Sequence, residues 1–97
     1  MNTKVINSLI TDIKKRKQLS ESLSTYVFVQ NVCDLKIGSH IRWIDLTQSS
    51  YNLQGVVNLI NVSIEDTHIN ITCKSFTNRY FKKRYDDLVI FKKMATI

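Results

Sequence analysis

The chain has 97 residues, 43% of them hydrophobic and 23% charged, which is enough for one packed core and too short for a second. A charge content this close to the globular average excludes a wholly disordered chain. Fourteen Lys and Arg against eight Asp and Glu leave a net charge of +6, and such a surface attracts nucleic acid, anionic membrane or an acidic protein face, although +6 is also an ordinary charge for a small soluble domain.

The first third reads as helical. Val5, Ile6, Leu9, Ile10 and Ile13 form one stripe of a 3.6-residue period. Asn2 or Thr3 can cap its start through a side-chain oxygen. Lys14, Lys15, Arg16 and Lys17 follow, and this run is expected to close the helix, where cations suit the negative end of the dipole. Leu19, Leu23, Tyr26 and Val27 continue at helical spacing and suggest a second short helix, while Tyr26-Val27-Phe28-Val29 is also β-prone. Residues 1–34 are therefore taken as a helical segment of one or two helices.

From Leu35 the pattern changes to strands. Gly38-Ser39 makes a turn, and His40 to Leu46 is the first strand candidate. Gln48 to Asn52 is loop-like. Gly55 to Val62 is an apolar run suited to a buried strand, bent at its glycine. Glu65-Asp66-Thr67 turns the chain. Ile69, Ile71 and Cys73 then alternate with Asn70, Thr72 and Lys74, the clearest period-two segment. Arg79 to Tyr85 mixes cations and aromatics, Asp86-Asp87 turns again, and Leu88 to Lys93 is the last strand. Strands joined by short turns pair antiparallel, and a small sheet protects its edges by curling. The expected fold is α+β and mainly β: a small antiparallel SH3-like or OB-like barrel of about five strands over 35–93, preceded by the helical segment, in one domain. Its expected core is Trp43, Val57, Leu59, Ile69, Ile71 and Phe91, with Val5, Leu9 and Ile13 packing the helix on the barrel.

Gly38-Ser39-His40-Ile41-Arg42-Trp43, the glycine-marked strand at Gly55 and the closing Ile90-Phe91-Lys92-Lys93 together resemble short β-barrel proteins of large nucleocytoplasmic DNA viruses. The resemblance covers Gly38 to Lys93. Gly55 stands alone where that pattern often pairs glycines. Tyr80 stands where it often has Trp, and Lys82 occupies an apolar position. The resemblance implies a barrel and a viral setting, and carries over no activity and no functional residue.

Ten of the fourteen basic residues fall in three clusters: Lys14 to Lys17, Arg79 with Lys82, Lys83 and Arg84, and Lys92-Lys93. The segment Arg79-Tyr80-Phe81-Lys82-Lys83-Arg84-Tyr85 is the leading functional candidate. Its cations can neutralise phosphates, and its aromatics can stack on bases. As a strand it puts Arg79, Phe81 and Lys83 on one face and Tyr80, Lys82 and Arg84 on the other. The structural alternative is a charged edge that prevents unwanted sheet pairing. Lys14, Lys15, Arg16 and Lys17 are either auxiliary phosphate contacts or a solvated helix end.

Cys33, His40, His68 and Cys73 depart from zinc-ligand spacing, so neither a metal nor a cofactor is expected, and the cysteines read as free thiols. Glu65-Asp66 and Asp86-Asp87 read as turn residues. No Ser-His-Asp set, phosphate loop or HExxH motif occurs, so no catalysis is expected. No signal peptide or membrane span is legible, and an intracellular location follows as the expectation: host cytoplasm, nucleus or virion if the chain is viral. The two Asn-x-Ser/Thr sequences, at Asn61 and Asn70, are then chance. The chain reads as a basic binding module for nucleic acid with little sequence selectivity, since no element suits the reading of base edges. The rival is a structural protein of a virion or other large assembly, docking on an acidic protein surface.

Overall fold

The computed structural model describes residues 2–94. Two helices, α1 (Asn2–Leu9) and α2 (Ile13–Ser22), lead into six strands: β1 (Tyr26–Phe28), β2 (His40–Asp45), β3 (Leu53–Glu65), β4 (His68–Ser75), β5 (Tyr80–Arg84) and β6 (Leu88–Lys93). The expected α+β class, mainly strands, holds. The count is six rather than five because Tyr26–Phe28, rich in aromatic and β-branched side chains, joins the sheet and does not extend a helix. The sheet therefore begins inside the segment expected to be helical.

The helical stripe is broken where a single helix was expected. The Asp12 carboxylate accepts the Lys14 amide at 3.0 Å and caps α2. The Arg16 guanidinium reaches back to the carbonyls of Ile10 and Asn7, satisfying acceptors that the end of α1 leaves free. Lys14 to Lys17 thus open α2 instead of closing α1, at the positive end of its dipole. Ile13, expected to pack on the sheet, is 77% exposed; the contacts go to Ile6 and Ile10, with Val5 and Leu9 partly buried beside them.

The strands lie in the order β1-β6-β2-β3-β4-β5, every neighbouring pair antiparallel. One face gathers Leu35, Ile41, Trp43, Val57, Leu59, Ile71, Cys73, Leu88 and Ile90. On the opposite face, Ile44 and Phe91 pack against Ile6, Ile10, Leu19 and Leu23 of the helical segment. Phe91, expected with Trp43, thus serves the helix side, because it alternates with Ile90 along β6. Ile69 is half-buried. The helices pack on Tyr26 of β1, Ile44 of β2 and Phe91 of β6, with Leu53 at the start of β3 beside them, and leave His40, Lys93 and the outward side chains of β4 and β5 exposed or partly exposed.

Two local features shape the sheet. The β2–β3 register shifts between Ile41 and Arg42, beside Gly55. Gly55 has a φ of +87°, and a Cβ there would sit 2.9 Å from the Trp43 ring, so a side chain is excluded on both counts. At the β1 edge, the Asn2 side chain accepts from the Phe28 amide and donates to the Tyr26 carbonyl, both at 2.8 Å. It blunts that edge as a neighbouring strand would. The other edge is β5.

Candidate nucleic-acid interface

The leading sequence candidate is an edge strand with two different faces. Phe81 and Lys83 turn inward. The Phe81 ring lies 5.7 Å from that of Trp43, and the Lys83 ammonium lies 3.4 Å from the Asp45 carboxylate. Asp45 is buried and also accepts from the amide and hydroxyl of Thr47, at 2.9 and 2.6 Å. These hydrogen bonds, chiefly the hydroxyl's, with the help of Lys83, hold its pKa below the usual carboxylate value. Lys83, expected among the phosphate contacts, is thus engaged inside the fold.

Tyr80, Lys82 and Arg84 face outward. Tyr80 is 63% exposed, and the register sets it opposite Lys74, whose ammonium lies 5.4 Å from the centre of its ring. Lys82 pairs at 2.6 Å with Glu65, whose pKa is lowered by that contact. Glu65 also accepts from Asn70. Arg79 and Arg84 are exposed and form no ion pair among the described residues.

Sequence reasoning missed the rest of this face. Phe76, in the turn between β4 and β5, is 86% exposed and shares a shallow cavity with His40, Asn58 and Lys74. The register lays His40, Asn58, Lys74 and Tyr80 side by side across four strands. A second row runs Asn61, Thr72, Lys82, and a third Ser63, Asn70, Arg84. Lys74 and Asn70 were legible as the polar side of an alternating strand; their meeting with β5 depends on hairpin register, which no local pattern encodes. The surface is polar and amide-rich, with cations inside it and two exposed rings at one side.

Lys14, Lys15 and Lys17 lie on α2 and are wholly or partly exposed. Arg16 is spent on the α1 carbonyls. Among the described residues no hydrogen bond or ion pair joins this run to β5. No group of three or more His, Cys, Asp or Glu side chains converges among them, and no described helix is long and apolar enough to cross a membrane. Cys33 is exposed and Cys73 buried. Burial pushes the Cys73 thiol up to about 11.

Comparison with protein-family models, with curated proteins and with solved structures finds no match for this chain.

Proposed function

We propose that the chain is a non-catalytic module that binds nucleic acid with little sequence selectivity, through the uncovered face of β3, β4 and β5. One observation carries the reading: Tyr80 stands out from a polar sheet face with the Lys74 ammonium over its ring, Phe76 is exposed beside the same Lys74, and Arg84 shares that face farther along β5. Exposed rings are unfavourable in water and stack on bases at about 1–3 kcal/mol each. Neighbouring cations release counterions from the phosphates. Phosphate contact and stacking are both indifferent to base identity, which accounts for weak selectivity.

The architecture that supports this role is a small, partly open barrel. Among the last five strands, β6 lies beside β2 and the others follow in chain order. A short 3₁₀ turn, Tyr85–Asp87, separates the final two. That path favours an SH3-like over an OB-like barrel. With the viral resemblance of Gly38 to Lys93, such a module would act in an infected cell or a virion.

A structural role is favoured by a different observation, the edge position of β5. An acidic partner strand could extend the sheet there. Fluorescence anisotropy with labelled single-stranded DNA, single-stranded RNA and duplex DNA, at low and at raised salt, separates the two. The nucleic-acid reading expects binding that weakens as salt rises. No binding at low salt removes it and leaves the structural one.

A further inference from the structure

We infer that the ligand of this face is a single strand of nucleic acid lying across the β-strands, from Tyr80 and Phe76 through Lys74, Asn58 and His40 to Lys93 at the far side. The inference rests on the nucleic-acid reading above and supplies its strandedness and path. The register that sets His40, Asn58, Lys74 and Tyr80 in one row also sets Ile41 opposite Lys92, which brings His40 beside Lys93 on the same face. Lys92 points the other way and donates to the Asp34 carbonyl at 3.0 Å. Lys93 is exposed and has no carboxylate partner among the described residues. It lines a cleft of about 350 Å³ with Lys36, Lys92, Ser39 and Asp34. Asp34 lowers the charge of that end, and Lys36 and Lys93 outnumber it, while Lys92 is engaged with the Asp34 carbonyl on the other side.

The row crosses five strands. At about 4.8 Å per strand gap it spans about 19 Å, within the reach of a site of about four or more nucleotides. Cations sit at intervals along it: Lys74, then, past His40, Lys93 and Lys36. Asn58 lies between them as a donor and acceptor for base edges. A continuous single strand can follow a curved sheet in this way and lay an unstacked base on Tyr80 or Phe76. A duplex keeps its bases stacked and can offer only phosphates.

The test uses the full chain and anisotropy with labelled oligothymidine and oligouridine of about four and about twelve nucleotides, and a duplex of similar length. Lys36→Gln with Lys93→Gln removes the far end, and Phe76→Ala with Tyr80→Ala the near end; Lys74→Gln cuts the middle. Circular dichroism checks that each variant is folded. The far-end variant is expected to weaken the longer single strand about five- to tenfold, to leave the short one unchanged and to flatten the salt slope by about 1.4. The near-end variant is expected to weaken both lengths. Equal DNA and RNA affinities support recognition of the shared backbone and bases. The inference is overturned by a far-end variant that binds the long strand as well as wild type, or by tighter binding of duplex than of single strand. In either case wild-type binding keeps the nucleic-acid reading alive. Wild-type protein that binds no nucleic acid removes both.

Discussion

The rings of Trp43 and Phe81 meet 5.7 Å apart, although β3 and β4 separate their strands in the sheet. On a flat sheet those strands would be about 14 Å apart, so the contact measures how far the sheet curls. The pairing of Lys83 with Asp45 bridges the same two strands further along. Together an aromatic contact and an ion pair draw the inner face of β5 over β2, which turns the outward face of β3, β4 and β5 into a convex, solvent-facing surface.

Gly55 makes that packing possible, so Gly55→Ala is the sharpest test of the curl. The new methyl group would meet the Trp43 ring at 2.9 Å, on backbone at a φ of +87°. Strain and overpacking of this kind cost about 1–3 kcal/mol each, and the melting temperature is expected to fall by at least about 4 °C. A second change, Trp43→Phe, trims the ring and is expected to recover part of the loss when combined with Gly55→Ala. An unchanged melting temperature in Gly55→Ala would contradict the packing described.

Much of this fold was legible because its signals are local. The alternation from Ile69 to Cys73 places β4, and the parity of residues 80–84 sets which side chains of β5 share a face. Trp43 was legible as a core aromatic for the same reason. The break at Asp12 carries no periodic signal, since the apolar stripe runs through it and a single capping carboxylate decides the matter. Tyr26–Phe28 was ambiguous between helix and strand, and pairing with the final strand settles it. Lys83 looked like a phosphate contact because charge is visible in sequence while a partner 38 residues away is not. Phe76 lies in the turn between β4 and β5, and its exposure has no sequence signature.

The two cysteines are expected to differ in reactivity. Cys73 is fully buried among Leu59, Ile71 and their neighbours, and its thiol is pushed up to about 11, so it is protonated and inaccessible near neutral pH. Cys33 is exposed. Mass spectrometry after iodoacetamide treatment should find one adduct on the folded chain, at Cys33, and two after denaturation. Rapid double labelling of the native protein would contradict the burial of β4.

Asp45 predicts an acid limb of the stability curve. Its pKa in the folded chain lies below the ordinary value of 3.8, chiefly through the Thr47 hydroxyl, with the Thr47 amide and Lys83 adding to it. A carboxyl depressed by folding stabilises the fold above its unfolded pKa, and that stability is lost as pH falls through the folded one. Asp45→Asn is expected to cost about 1.5–3 kcal/mol at neutral pH, the usual loss for hydrogen bonds to a charged group. The gap between wild type and variant should narrow as pH drops below the usual carboxylate range. A gap that stays constant in acid would show that Asp45 acts through packing alone.

Lys83 and Arg84 are neighbours in sequence with opposite expected roles, and separating them tests the whole reading of β5. Lys83 is partly buried and paired with Asp45 inside the curl. Lys83→Gln leaves a buried carboxylate short of its cation, so it should lower the melting temperature while nucleic-acid affinity, measured where the variant is folded, stays near wild type. Arg84 is exposed on the outer face and unpaired among the described residues. Arg84→Gln should leave the melting temperature nearly unchanged, since exposed charges contribute little, and should lower single-strand affinity with a salt slope flatter by about 0.7. Lys82→Gln should fall between these in affinity, because Glu65 already offsets its charge. Tyr80→Ala should lower single-strand affinity by about 1–3 kcal/mol with little change in salt slope, since stacking releases no counterions. A Lys83 variant that loses as much affinity as the Arg84 variant, at unchanged stability, would mean that the inner face of β5 opens to the ligand and that the division between its two faces is wrong.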